Sequence, residues 1–241
     1  MTVSDGTFSG VVSGTSGLTK ISTGTLTLSG ANTYTGSTLV DAGTLLLSGS
    51  LASTEIKIAL GSTLTNNAGG LSALATLTND GTVNQDADDT IAALVNTGTI
   101  NNNGFTLTAA TYALNQGSII NTNLGTGIVT ANGTVALNGT SSASTFNVET
   151  GTTTLGSAER LIDTTTVSIS SGATLKLGGA EKISVLNGAG MLDNMGFRLT
   201  ADSGSFSGVV SSTGGLTKVS AGTLTLSGNL SHSGATTISD G

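Results

Sequence analysis

Cysteine, proline and tryptophan are absent from this chain of 241 residues, and histidine occurs once. Without cysteine there is no disulfide, no thiolate metal site and no cysteine nucleophile, although that absence by itself identifies no compartment. Charge is also scarce: Asp, Glu, Lys and Arg together make up 9% of residues, with a formal net charge of −7. The cations Lys20, Lys57, Arg160, Lys176, Lys182, Arg198 and Lys218 are scattered and form no patch. Nucleic acid needs clustered Lys and Arg to displace counterions, so no nucleic-acid partner is expected. An anionic membrane surface is disfavoured for the same reason. No stretch approaches the roughly 20 apolar residues of a spanning helix, so no membrane insertion by this segment is expected. Met1 to Gly10 lacks the charged and apolar regions of a signal peptide, which places any export signal outside this sequence.

What remains is rich in Gly, Thr, Ser, Asn, Leu, Ala and Val, with 36 glycines and 37% hydrophobic residues. Helix formers are few, while Thr and Val suit a pleated, half-buried surface. Disorder would call for less apolar content and more charge, and the apolar residues here recur regularly. The reading is therefore a chain of strands and turns.

A glycine followed closely by a small residue and then an apolar one recurs at Gly6, Gly24, Gly43, Gly61, Gly81, Gly98, Gly117, Gly133, Gly151, Gly172, Gly204 and Gly222, more loosely at Gly190 and truncated at Gly241. The 13 intervals span 235 residues, a mean near 18. Such a period in a β-rich composition predicts one turn of a solenoid per repeat, because no single turn can bury its own apolar face. The predicted fold is all-β: a right-handed single-stranded parallel β-helix of about 13 turns of about 18 residues, continuous over 1–241. Pairs two residues apart share a strand face. Leu26 and Leu28, Leu45 and Leu47, Val135 and Leu137, Leu175 and Leu177, and Leu224 and Leu226 should point inward. Thr25, Thr27, Thr44, Thr134 and Thr223 should point out. The five phenylalanines, Phe8, Phe105, Phe146, Phe197 and Phe206, read as inward packing. Lys20 and Lys218, on the bend before a GTLTL strand, read as solubilising an edge. The 20- and 21-residue intervals ending at Gly81 and Gly172 are candidates for outward loops. The 14-residue interval before Gly204 could be a kink or a joint.

Two further patterns lie inside this period. Asn79, Asn96, Asn115 and Asn132 fall one per turn, each beside a bend glycine, and read as a structural ladder rather than ligands, since asparagine favours such bends and stacked amides can bond from turn to turn. A longer repeat relates Gly6–Gly30 to Gly204–Gly228 at an offset of 198, with 20 of 25 residues identical. This predicts a long unit over 6–203 and the start of a second copy over 204–241, with no capping turn visible at either end.

Residues 16–45, SGLTKISTGTLTLSGANTYTGSTLVDAGTL, resemble the autotransporter-associated β-strand repeat. Leu18, Lys20, Gly24, Leu26, Leu28, Gly30, Asn32, Tyr34, Gly36, Val40 and Gly43 fall on its pattern, and Ser22 replaces its usual glycine. The copy at 214–241 keeps the first half but carries Leu230, Ser231, His232 and Ser233 where NTYT would stand. The resemblance implies a Gram-negative outer-membrane passenger, secreted or held at the bacterial cell surface, with a β-helical stalk that holds adhesive or effector parts away from the cell. It transfers no catalytic or ligand residue.

Chemistry-bearing clusters are few. Asp86, Asp88 and Asp89 could offer oxygen ligands to calcium, but no backbone-carbonyl frame or bidentate Glu accompanies them, and a solvated acidic loop is the preferred reading. Paired acids on adjacent turns would suit a β-helical carbohydrate-active enzyme. The best local candidates are Glu159, Arg160 and Asp163, with Glu181 and Lys182 about one turn later, and surface ion pairs explain them as well. His232 has no catalytic partner in sight and reads as an exposed turn residue. Sugar platforms would have to come from Tyr34 and Tyr112. No enzyme activity and no cofactor are expected. The expected function is a structural or adhesive extracellular stalk whose partner is a host or neighbouring-cell surface, or the chain itself end to end. A self-assembling fibre is the alternative, and a carbohydrate-active enzyme the least supported reading.

Overall fold

The computed structural model describes residues 1–240; the side chains of Asn102 and Asn103, and all of Gly241, the last glycine of the series, lie outside the described residues. Regular structure among the described residues is strand only, and the strands are paired in parallel from coil to coil. The fold is a parallel β-solenoid of the predicted period. The chain forms two compact units: Met1–Ala113 with Ser118–Gly125, and Leu114–Gly117 with the chain from Thr126 onward.

In the first unit each coil gives one strand to each of two columns. One column runs Gly6–Phe8, Thr25–Leu28, Thr44–Leu47, Thr63–Asn66 and Thr82–Gln85. The other runs Thr2–Val3, Leu18–Lys20, Thr38–Val40, Glu55–Ile58, Thr76–Asn79 and Asp89–Asn96. Identical or similar residues face one another: Leu26 lies beside Leu45, Leu45 beside Leu64, and Leu64 beside Val83. A short third pair joins Ala31–Asn32 to Ser50–Leu51.

The second unit repeats the scheme. Ile128–Asn132, Thr145–Thr150, Thr166–Ile169, Glu181–Gly188 and Leu199–Phe206 stack in one column. Val135–Leu137, Thr152–Leu155, Thr174–Lys176, Met191–Asp193 and Val209–Ser211 stack in the other.

Strand alternation decides what is buried. Leu26, Leu28, Leu45, Leu47, Val135, Leu137, Leu175 and Leu177 are all buried, whereas Leu224 and Leu226 are only half-buried. The threonines between them face outward. Segments outside any named strand, 67–75 and 156–165, occupy the two long intervals, and they carry buried residues at Leu71, Ala75, Leu161 and Thr165. The 14-residue interval is no short coil: Glu181 faces Leu199 and Met191 faces Val209, each 18 residues on. The bend glycine has moved, and the coil length has not.

Three phenylalanines depart from expectation. Phe146 and Phe206 are buried, but Phe8, Phe105 and Phe197 are exposed. Phe105 follows Gly104, whose φ of 95° turns the chain where the ladder shifts register between Asn101 and Thr106. Phe197 sits in a tight turn closed by its own N–H on the Asn194 carbonyl at 2.7 Å. Phe105 lies within the strand Thr99–Asn115 but at this break in register, and Phe197 lies outside any strand.

Alternation is tested most directly on one strand. Leu77 is fully buried and its neighbour Thr78 half-exposed. Leu77→Ala should cost about 3 kcal/mol, the lost transfer energy plus a cavity, and Thr78→Ala less than about 0.5 kcal/mol. Equal losses in urea denaturation would contradict the inward and outward assignment.

Candidate functional site

The side chains that could carry chemistry mostly point into the stack. In an extended strand, residues two apart share a face, so a polar residue two positions from a buried leucine is carried inward. Asn79 follows Leu77 in this way and is fully buried. Its Nδ2 donates to Asn96 Oδ1 at 2.7 Å on the next coil and to the Thr99 carbonyl at 3.1 Å. Asn96 Nδ2 donates to the Gly98 carbonyl at 2.8 Å. Asn132 Nδ2 reaches Asn115 Oδ1 at 3.4 Å, and those two are only half-buried. A second ladder, which the bend pattern did not reveal, runs along the outer face: Asn121 Nδ2 donates to Asn101 at 2.8 Å, and Asn101 Nδ2 to Asn84 at 3.2 Å. Its signal was the alternation itself, with each asparagine one place past a buried Val83, Ile100 or Ile120.

Asp86, Asp88 and Asp89 are not brought together as a cation site. Asp89 turns inward, where its Oδ2 accepts from Asn66 Nδ2 at 2.7 Å and from the Leu71 N–H at 3.0 Å, and its Oδ1 from the Thr90 N–H at 2.8 Å. Burial pushes its pKa up, against the pull of those donors. Asp88 is exposed and accepts from the Thr106 N–H at 2.7 Å. Adjacent positions on an extended chain face opposite ways, which separates the two carboxylates. Among the described residues no group of three or more His, Cys, Asp or Glu could hold a metal ion.

Lys20 and Lys218 overturn their reading as edge-solubilising residues, because both are buried. Each lies two residues after a buried leucine, Leu18 or Leu216, and shares its inward face. Lys20 Nζ donates to the carbonyls of Ser22 and, at 3.3 Å, Ala42, and pairs with Asp5 Oδ1 at 3.0 Å. Lys218 Nζ donates to the carbonyls of Val219 at 2.7 Å, Ser220 at 2.5 Å and Asp240 at 3.1 Å. An ammonium has three donors and no acceptor, and a bend offers inward carbonyls that no strand ladder uses. The lysine thus acts as an internal staple that reaches 22 residues ahead, onto the next coil.

The acid-rich cluster near 160 has a structural form too. Glu181 is buried, with Oε2 accepting from the Arg160 N–H at 2.9 Å and Oε1 from the Leu161 N–H at 3.0 Å. It bonds backbone where the ladder narrows to a single bridge between Ser141 and Leu161. Burial raises its pKa to about 7, opposed by those two N–H groups and reinforced by Glu159. Asp163 pairs with Lys182 at 2.8 Å on the surface, and Arg160 donates to the carbonyls of Ala158 and Asn138. Glu181 is thus occupied by backbone, not poised beside an open cleft.

The aromatic residues offer no sugar platform. Tyr34 is buried with its hydroxyl 2.6 Å from Thr38 Oγ1, and Tyr112 is buried with its hydroxyl donating to the Leu107 carbonyl at 3.0 Å. His232, 198 residues after Tyr34, keeps the same contact through Nε2, 2.9 Å from Thr236 Oγ1. It is half-buried, not fully exposed.

The model of the passenger-associated-transport-repeat family matches residues 18–47 and 216–241, so the chain carries that repeat in two places. No curated protein and no solved structure matches the chain. Both matched segments hold a buried lysine staple.

Two outcomes follow from these geometries. Lys20→Ala leaves bend carbonyls without a donor and should destabilise the first unit by about 2–4 kcal/mol, measured by urea denaturation. For Glu181 the folded pKa lies above the unfolded value of 4.5. Its stabilising share is then fully present below about pH 4.5 and is lost as pH rises through about 7. Stability of the wild-type chain should fall across that window by up to roughly 3 kcal/mol relative to Glu181→Gln. Parallel pH profiles for the two proteins would exclude this account.

Proposed function

We propose that this chain is a stalk segment of a secreted passenger at a Gram-negative cell surface, a spacer that holds other parts of its protein at a set distance from the cell. The supporting observation is where the chemistry goes. Lysine, asparagine and buried carboxylates are consumed in coil-to-coil bonds inside the stack, and the tyrosine hydroxyls in bonds within their own coil. The outer faces carry mainly Thr, Ser and Asn. The passenger repeat in two places supports export and the surface location. Parallel coils suit a spacer physically, because added coils extend a stack without any new core. Adhesion, on this reading, belongs to the parts the stalk presents.

The test is surface display of the chain between an outer-membrane anchor and a fluorescent reporter. Reporter height should be narrowly distributed and should rise by a fixed step when residues 6–203 are duplicated. An unchanged height, saturable binding of the isolated chain to host cells or glycans, or release of reducing sugar ends would each reject the spacer reading.

A further inference from the structure

Between parallel strands the acceptor for a coil's N–H is a carbonyl of the adjacent coil, and a carbonyl does not titrate. Two segments depart from this rule. Residues 67–75 and 156–165 lie outside any named strand, and each carries one buried leucine, Leu71 or Leu161. The Leu71 N–H donates to Asp89 Oδ2 at 3.0 Å, and the Leu161 N–H to Glu181 Oε1 at 3.0 Å. In both cases the acceptor is a buried carboxyl group from the coil that follows, 18 and 20 residues on. The same device therefore closes both irregular segments, each within its own unit.

The segments have few other holds. In the later one the ladder is the single bridge of Ser141 with Leu161, and the Glu159 N–H reaches the Ala180 carbonyl at 3.1 Å. Glu159 has φ of 51°, a left-handed conformation that is costly for a residue with a Cβ. Residues 156–159 and 162–164 are exposed. In the earlier segment Asn67, Ala68, Ala73 and Leu74 are exposed, and Asn66 Nδ2 joins the Leu71 N–H on Asp89 Oδ2. Glu181 Oε2 takes a second N–H, that of Arg160, at 2.9 Å.

Neither carboxyl group has a cation against it. Around Asp89, residues 67–75 and 90–148 are uncharged, Asp86 and Asp88 are acidic, and the nearest lysine in sequence, Lys57, pairs with Asp80. Around Glu181, Arg160 turns its guanidinium to the carbonyls of Ala158 and Asn138, and Lys182 pairs with Asp163 and feels Asp202. Arg198, on the following coil, is exposed, and Glu159 adds a like charge. Ionised, either group is a buried charge without a counter-ion; protonated, it is a neutral hydrogen-bonding group. Burial pushes both pKa values up, that of Glu181 to about 7, against the pull of the N–H donors.

We propose that Asp89 and Glu181 are proton-gated clasps: each holds its segment by the leucine N–H while protonated and frees it on ionisation, so that 67–75 and 156–165 open locally while the neighbouring strands stay paired. Opening gives the ionised carboxylate water. A folded-state pKa above the unfolded one places the clasp's stabilising share at low pH and removes it as pH rises. For Glu181 the loss begins near pH 4.5 and is complete above about 7. The device is separate from the spacer role, since a stalk of fixed length can carry it.

The test is native-state hydrogen exchange on the whole chain, corrected for intrinsic rates. Between about pH 5.5 and about pH 8.5 the amides of Arg160 and Leu161 should lose protection by about tenfold or more. The Leu71 amide should lose protection in the same direction. At the upper pH all three should exchange faster than the strand amides of Leu77 and Val167. In Glu181→Gln the response at Arg160 and Leu161 should vanish while that at Leu71 stays, and Asp89→Asn should give the reverse, so each variant is the other's control. Should a carboxamide variant fail to fold, Glu159→Gln leaves the clasp in place and removes the like charge. Loss of protection at Leu161 should then reach its plateau at lower pH. Four results would overturn the proposal: exchange at these amides no faster than at Leu77 and Val167 at any pH, a pH response that the carboxamides leave unchanged, protection that grows as pH rises, or no shift in Glu159→Gln.

Discussion

A side chain that points into a stack of parallel coils has no route to water, so a polar group carried inward is costly unless its own coil or the next meets it, and only a few such atoms, Ser62 Oγ and Gln85 Nε2 among them, have no hydrogen-bond partner. This constraint organises both units. The partners recur at one coil's distance: Asn79 and Asn96 are 17 residues apart, Asn66 and Gln85 19, Glu181 and the Arg160 N–H 21, and Lys20 and the Ala42 carbonyl 22. Each such bond holds only in one register, because a slip by one residue would turn the polar group outward and a leucine into its place. Apolar burial drives the stacking, while the polar contacts fix which residue faces which.

The same constraint explains the surface. Charge is scarce, and much of it is spent inside or on local pairs such as Lys182 with Asp163, while Phe8, Phe105 and Phe197 stay exposed. Exposed pairs of this kind add little stability. What is left for solvent is mainly hydroxyl and amide, with scattered apolar side chains such as Leu60 and Leu74, and the asparagine ladder of Asn84, Asn101 and Asn121 bonds itself along the outer face. An outer face of this composition presents no assembled binding chemistry, which is why the functional argument rests on the stack.

Period, strand class and inward leucines were legible from the sequence because they depend on a two-residue alternation and on bend glycines, both local. The lysines were misread for an instructive reason. Charge suggests the surface, but Leu18 and Lys20 are two apart on a strand and must share a face. Had alternation outranked charge, the buried ammonium would have been expected, along with the demand for free carbonyls at the bend. The phenylalanines show the opposite: residue type is a poor guide where Phe197 lies outside any strand and Phe105 lies at a break in the register of one. The fate of Glu181 and Asp89 was beyond local reasoning, since their partners are backbone groups one coil away.

Comparison of the two repeat copies separates what the coil needs from what it merely uses. Asn32 clamps its bend, donating to the carbonyls of Gly30 at 2.9 Å and Ser50 at 3.1 Å while accepting from the Val12 N–H at 3.0 Å. Its counterpart 198 residues on is Leu230, which can do none of this and is exposed. The Val210 N–H, equivalent to that of Val12, is met instead by the Asn229 carbonyl at 3.0 Å. Tyr34 becomes His232 and keeps its contact with a threonine hydroxyl four residues on. The lysine staple keeps its backbone-carbonyl acceptors in both copies, while the Asp5 carboxylate that also pairs with Lys20 is replaced by Ser203 in the second. A carbonyl is present whatever the side chain, so a lysine aimed at carbonyls tolerates drift in the following coil's sequence as an amide aimed at a side chain would not. What the two copies of the staple hold in common is the part whose partners cannot mutate.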